Sequence, residues 1–289
     1  MRKLIIATRG SKLALAQTEI VRRLLQEVQV ETAIHTITTA GDRDRIHALV
    51  KIGGRGVFVR EIERELLSGE ADLAVHSAKD LPYELAPGLV IAGTPKAADP
   101  RDALVTRKGK NGGGPLVIGT GSPRRIAELR PLYPEAVFKD IRGNVTTRLH
   151  KLDRGEYDAI VLAMAGLERM GVDASAYDLH PFDVEQVMPA GCQGIIAVEC
   201  RSRDRELMAL LQKISHGITW RRFLLERELF CSMKVDCAMA VGIHASFPRK
   251  GEVRLGAMLD GVKAFRQGRT ENHALLAASL KKELYDGKS

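Results

Sequence analysis

The run Val117-Ile118-Gly119-Thr120-Gly121-Ser122-Pro123-Arg124-Arg125 places two cations in what reads as the first turn of a helix. Ser122 is a favoured N-cap residue, and Pro123 has the fixed φ of a first helical residue. Arginines there oppose a macrodipole that is already positive, at about 0.3–1 kcal/mol each when exposed. An anion docked on the helix N-terminus would offset that cost, because free N–H groups and guanidinium forks would converge on it. For this pair alone, two solvated surface arginines are the plain alternative. Arg9 and Arg142 also follow apolar runs, and Arg148 and Arg169 lie close behind two others. Six arginines so placed favour an anion-binding cleft over a solvated surface.

A second chemical stretch, His76-Ser77-Ala78-Lys79-Asp80-Leu81-Pro82, brings a carboxylate after a buried apolar run. Amid these arginines Asp80 should stay ionised. It would then be able to stabilise a developing cation and shuttle a proton. Taken alone, Asp80 is as readily read as neutralising Lys79 or an arginine, and His76 as a satisfied buried histidine. The four cysteines, Cys192, Cys200, Cys231 and Cys237, form no CxxC pair and no Cys/His zinc spacing, so no metal centre is expected. Cys237 in a basic setting has the chemistry of a nucleophile or a covalent attachment point. By itself it reads as a small buried hydrophobe, as does Cys192.

The elements that must position these groups follow from periodicity. An apolar run over 4–8 leads to a helix with Ser11 as N-cap and Leu13, Ala16, Ile20, Val21, Leu24 and Leu25 at helical spacing. Strands are expected near 33–38, 72–76, 89–92, 103–106, 137–141, 157–163 and 195–200, with helices between most of them. Alternating strands and helices predict α/β units with mainly parallel sheets, whose ligands bind beyond the carboxyl ends of strands. The arginine turns and Asp80 lie at such ends. Lys51-Ile52-Gly53-Gly54-Arg55-Gly56 is a flexible loop suited to closing over a ligand. After about residue 238 three strands with short turns and a last helix predict a small α+β module.

With 289 residues, two or three domains are expected. Hydrophobic residues make 45% and charged residues 28%, and no apolar run reaches membrane-spanning length. The apolar N-terminal stretch is too short for a signal peptide, so it reads as the first strand of a cytoplasmic protein without disulfides. The net charge of +8 calls for an anionic partner. Aromatics at 4%, no long basic run and no nucleic-acid module argue for a small polyanion over nucleic acid.

These motifs together resemble the porphobilinogen deaminase (hydroxymethylbilane synthase) family along nearly the whole chain. They are Ala7-Thr8-Arg9-Gly10-Ser11 with Gln17; Gly53-Gly54-Arg55-Gly56 with Phe58; His76 to Pro82; Gly119 to Ser122 with Arg124-Arg125; Arg142-Gly143-Asn144-Val145 with Thr147-Arg148-Leu149; Leu152-Asp153 with Gly155 to Ile160; and Gln193-Gly194 with Glu199-Cys200-Arg201. The resemblance implies two periplasmic-binding-protein-like α/β lobes with an interlobe cleft, 1–96 with 192–214 and 97–191, and a C-terminal cofactor-attachment domain, 215–289, with a three-stranded antiparallel sheet. It implies stepwise head-to-tail condensation of four porphobilinogen molecules, with release of ammonia, to linear hydroxymethylbilane. The growing pyrrole chain sits on a dipyrromethane primer that the enzyme builds itself and that is held by a thioether to Cys237. Asp80 would be catalytic. Arg9, Ser11, Lys79, Ser122, Arg124, Arg125, Arg142, Arg148 and Arg169 would bind cofactor and substrate carboxylates. Lys51, Arg55 and Phe58 would belong to a mobile loop near the cleft. The family suggests a monomer with no membrane or nucleic-acid partner.

The sequence departs from the family around Cys237, where Val235-Asp236 stand in place of two glycines and Ala238-Met239-Ala240 in place of Gln-x-Pro. Asp236 should raise the neighbouring thiol pKa and slow cofactor attachment. Pro123 replaces an aliphatic residue, and Cys192 a common glycine. A non-enzymatic anion-binding protein of the same bilobal architecture is the alternative; it would need neither Asp80 nor Cys237.

Overall fold

A computed structural model describes residues 3–37, 59–109, 115–173, 175–233 and 239–287. It divides into two compact units, 1–97 with 195–223, and 98–194 with 224–289.

The first unit is built on β1 (Leu4–Arg9), α1 (Lys12–Glu27), β2 (Thr32–Ile37), α2 (Arg60–Ser68), β3 (Leu73–Ser77) and β4 (Leu89–Gly93). The second opens with β5 (Asp102–Arg107), β6 (Val117–Gly119), α3 (Pro123–Leu129), β7 (Val137–Lys139), α4 (Val145–Asp153), β8 (Ala159–Ala163), α5 (Met164–Arg169) and β9 (Tyr177–Pro181). The chain then gives β10 (Ile196–Arg201) and α6 (Arg205–Lys213) to the first unit, and α7 (Gly217–Met233) runs from one unit into the other. Strands β11 (Val241–Ser246), β12 (Glu252–Leu259) and β13 (Val262–Arg269) and helix α8 (His273–Asp286) complete the second unit.

The two five-stranded sheets share one plan. Their orders are β2-β1-β3-β10-β4 and β7-β6-β8-β5-β9. In each, three neighbouring strands are parallel and the fourth is antiparallel to both its neighbours. The expected mainly parallel sheets are therefore present, each with one reversed strand supplied by a crossing of the chain. Alternation of side chains buries both faces. In the first sheet Ile6, Leu73 and Val75 pack with Val21 and Leu25 of α1 and Leu211 of α6, whereas Ala7 and Ala74 pack with Ile62 and Leu66 of α2. In the second, Ile160 and Leu162 meet Leu149 and Leu152 of α4, and Ile118 and Val161 meet Leu129 of α3.

The C-terminal sheet, ordered β11-β12-β13, is antiparallel throughout. It packs within the second unit through Met188, which lies against Ala240 and Met258. A Cβ added at Gly242 or Gly256 would come within 2.7 or 2.8 Å of the Met188 side chain, so both positions need glycine for this close approach. Lys263 adds a 2.8 Å ion pair to Glu128 of α3.

Ser122 is the N-cap of α3, accepting a hydrogen bond from the Arg125 N–H, and Pro123 is its first residue. The arginines that follow are buried, 5% and 7% exposed, and both pair with Asp102 at the start of β5, which is 0% exposed. Arg124 Nη2 donates to Oδ2 at 2.5 Å and Arg125 Nη2 to Oδ1 at 2.7 Å. Their other Nη atoms donate to the carbonyls of Met188 and Val161. Gln193 Nε2 donates to Asp102 Oδ1 and to the Pro100 carbonyl, so the same carboxylate also fixes the end of the returning chain. Just beyond it, Gly194 has φ +84°, and a Cβ there would lie 2.6 Å from the Ala98 carbonyl oxygen. The dipole cost read from the sequence is thus offset by a protein carboxylate.

Burial alone pushes the Asp102 carboxyl up; the charges of Arg124 and Arg125 and their hydrogen bonds outweigh it and hold the carboxyl below the usual carboxylate range. A carboxyl with a depressed folded-state pKa contributes stability that is fully present above its unfolded value, about 3.9, and is lost as the pH falls through the folded value. Asp102→Asn should destabilise the protein by about 3–5 kcal/mol at neutral pH, because it leaves buried cations without their counter-charge. Denaturant titrations should show that difference shrinking below about pH 4; a variant as stable as the parent at pH 7 would remove Asp102 from this role.

Candidate functional site

In the first unit, the parallel pairing of β1 with β3 brings their carboxyl ends to one edge of the sheet. Arg9 ends β1 and Ser11 lies in the turn after it, and the 3-10 turn after β3 carries Lys79 and Asp80. Ser11 is the N-cap of α1, accepting from the Ala14 N–H at 3.2 Å, as its position before an apolar helical run predicts. Arg9, Ser11, Gln17, His76, Ser77 and Asp80 line a single pocket, floored by apolar side chains including Ile62 and Val75.

Asp80 is exposed in that pocket. Among the described residues its side chain has no hydrogen bond and no ion pair, so it is not consumed in neutralising Lys79 or an arginine. Gln17 and Ser77 brace each other, Gln17 Nε2 donating to Ser77 Oγ at 2.9 Å. His76 is buried, with Nε2 3.0 Å from Glu199 Oε2 on β10. The expectation of a buried, partnered histidine is met.

In the second unit the equivalent strand ends carry the arginines. Ser122, Arg124 and Arg125 follow β6, Arg142 follows β7, Arg148 lies on α4, and Arg169 ends α5 after β8. These cations fall into two groups. Arg124 and Arg125 are matched by Asp102, and exposed Arg142 donates to Asp140 at 2.6 Å. Arg148 and Arg169 have no ion pair among the described residues. Arg148 Nε donates to the Gly143 carbonyl at 2.8 Å, and Arg169 Nη2 to the Gly194 carbonyl at 2.6 Å. Burial, together with the nearby charge of Arg125, pushes the Arg148 guanidinium down to about 10. Burial pushes Arg169 down to about 10 as well. Both remain cationic at neutral pH, partly desolvated and short of counter-charge, which is the electrostatic condition for binding a carboxylate. Arg125 also keeps a buried Nε with no hydrogen-bond partner among the described residues.

Lys51, Arg55, Phe58 and Cys237 lie outside the described residues. Sequence reasoning gave no role to Asp102, Glu199 or Asp140. Asp102 and Glu199 are fully buried acids inside apolar strands, a costly placement unless they are paired, and that is the signal that would have singled them out; Asp140 is exposed and carries no such signal.

A family model described as "Porphobilinogen deaminase, dipyromethane cofactor binding domain" matches residues 4–209. The porphobilinogen deaminase of Prochlorococcus marinus (strain MIT 9215) is 39% identical over 297 residues, covering 98% of this chain and 92% of that protein. The porphobilinogen deaminase of Streptococcus sanguinis (strain SK36) is 39% identical over 296 residues, covering 99% and 96%. Among solved structures, substrate-binding domain 2 of GlnP from Lactococcus lactis, in its open conformation, gives a TM-score of 0.45 at 10% identity, covering 74% of this chain and 88% of that one. On the family-model match and these near-full-length relatives, the chain belongs to the porphobilinogen deaminase family.

Proposed function

We propose that this chain is a working porphobilinogen deaminase, a hydroxymethylbilane synthase of tetrapyrrole and haem biosynthesis. It condenses four porphobilinogen molecules head to tail, with loss of ammonia at each addition, and releases linear hydroxymethylbilane. Beyond family membership, one observation carries the reading. Asp80 is a carboxylate after a strand end with no hydrogen bond or ion pair among the described residues, in a pocket shared with Arg9 and Ser11. Expulsion of ammonia leaves positive charge on the pyrrole methylene, and a fixed carboxylate stabilises that charge where it develops.

The residues present fit a dipyrromethane. Its acetate and propionate groups are the counter-charges that Arg148 and Arg169 lack, and guanidinium forks suit them. When bound, the group supplies the pyrrole carbon to which new units are joined. Arg9, Ser11 and Lys79, with Ser122, Arg124, Arg125, Arg142, Arg148 and Arg169, hold the carboxylates of cofactor and substrate. Arg148 and Arg169 gain most, because Arg124 and Arg125 already share Asp102. Cys237 carries the thioether, and Lys51, Arg55 and Phe58 belong to a loop near the substrate. The domains divide as 1–96 with 192–214, 97–191 and 215–289, and the enzyme acts as a cytoplasmic monomer with no membrane or nucleic-acid partner. Membership of β10 in the first sheet supports the split first domain, and no described helix is long and apolar enough to cross a membrane.

Intact mass of the purified protein should exceed the chain mass by two linked pyrrole units, and Cys237→Ser should abolish the excess. An unmodified mass with no product from porphobilinogen would indicate an anion-binding relative without the activity. Asp80→Asn should keep its cofactor and bind porphobilinogen while turnover falls by about 10²-fold or more; full turnover in that variant would take Asp80 out of the mechanism.

A further inference from the structure

The Asp80 pocket has a second group suited to proton chemistry. His76 is the penultimate residue of β3 and lies opposite Ala197 of β10 in the antiparallel register. Glu199, two residues further along β10, is therefore its diagonal neighbour on the same face. The two meet at 3.0 Å through Nε2 and Oε2, with side chains 5% and 0% exposed. A carboxylate accepts hydrogen bonds, so against Glu199 the ring's Nε2 is the donor, and Nδ1 is the nitrogen left for proton exchange. Among the described residues the contact to Glu199 is the only hydrogen bond of the ring, and the ring lines the pocket. Glu199 Oε1 is buried with no hydrogen-bond partner among the described residues. The other charged groups around the pair are Glu63 of α2, which interacts electrostatically with both, and Asp80 and Arg9 in the pocket. A carboxylate held this deep with half its hydrogen-bonding capacity unused is costly as a structural tie. It is well placed to support positive charge arriving on the imidazole.

Resting on the function proposed above, we infer that His76 is the base of this pocket and that Glu199 is its positioning residue. Each condensation forms one carbon–carbon bond, breaks one carbon–nitrogen bond and releases one proton from the α-carbon of the attacked pyrrole. The aminomethyl group, already in its ammonium form, leaves as ammonia before the new bond forms; Nδ1 then takes the α-proton and passes it to that freed ammonia, giving ammonium, and nothing is oxidised or reduced. Asp80 stabilises charge on the methylene while His76 removes the carbon-bound proton, so the two side chains have separate tasks.

The test uses holoenzyme whose cofactor load has been verified by intact mass, with porphobilinogen carrying either hydrogen or deuterium at its free α-carbon. His76→Gln should load normally and hold KM within about twofold, while kcat falls about 10²-fold and an isotope effect on kcat emerges as carbon deprotonation becomes limiting. In Glu199→Gln the loss of the supporting charge should move the acid limb of the kcat profile to lower pH, because the imidazole becomes less basic. Unchanged kcat in loaded His76→Gln, or a lower kcat with no isotope effect, would overturn the inference. If His76→Gln fails to fold, the Glu199→Gln profile decides, and an unmoved limb overturns it. A loaded parent enzyme that makes no product would instead overturn the function on which the inference rests.

Discussion

Asp102 carries one negative charge into the interior of the second unit, and much of that unit is arranged to meet it. Two guanidinium groups close on its two oxygens, and a glutamine from the returning chain adds a third donor. Desolvating one carboxylate and two arginines costs several kcal/mol per ion in real proteins. That cost is recovered only if the geometry is kept, so the start of β5, the first turn of α3 and the segment before β10 are bound to one another. The helix N-terminus is thereby relieved of its clash with the macrodipole without a ligand. Arg148 and Arg169, by contrast, are partly buried and make no ion pair among the described residues.

The first unit reverses this balance. Its pocket is lined by Asp80, an acid with no ion pair among the described residues, and by His76, whose partner is the buried acid Glu199. A polyanionic pyrrole chain needs cations along its length but negative charge where a cationic methylene forms. Each unit carries its charged residues on the same device, polar turns at the carboxyl ends of parallel strands.

Much of this was legible in the sequence. Local signals held wherever the physics is local: Ser11 and Ser122 are caps, and Pro123 opens its helix. Strand direction was not legible for β5 and β10, because an apolar run buried on both faces reads alike in either sense. β9 left no trace in the pattern. It is a short edge strand paired only with β5 and ends in Pro181, where a missing N–H is tolerated. The fate of Arg124 and Arg125 depended on an acid more than twenty residues earlier, and His76 on one 123 residues later. Pairings at that range follow from topology and leave no periodicity to detect.

The reversed strands also order events during synthesis. The second sheet draws all its strands from 102–181, whereas the first sheet waits for β10 at 196–201. Until then β4 has no neighbour to pair with, and β3 exposes an apolar edge. At about 5–20 residues per second the ribosome takes several seconds to cover that interval. Strand β4 and the outer edge of β3 are therefore paired only after every strand of the second sheet has been made, and for that time a nascent chain shows an open strand edge to chaperones or to other copies of itself.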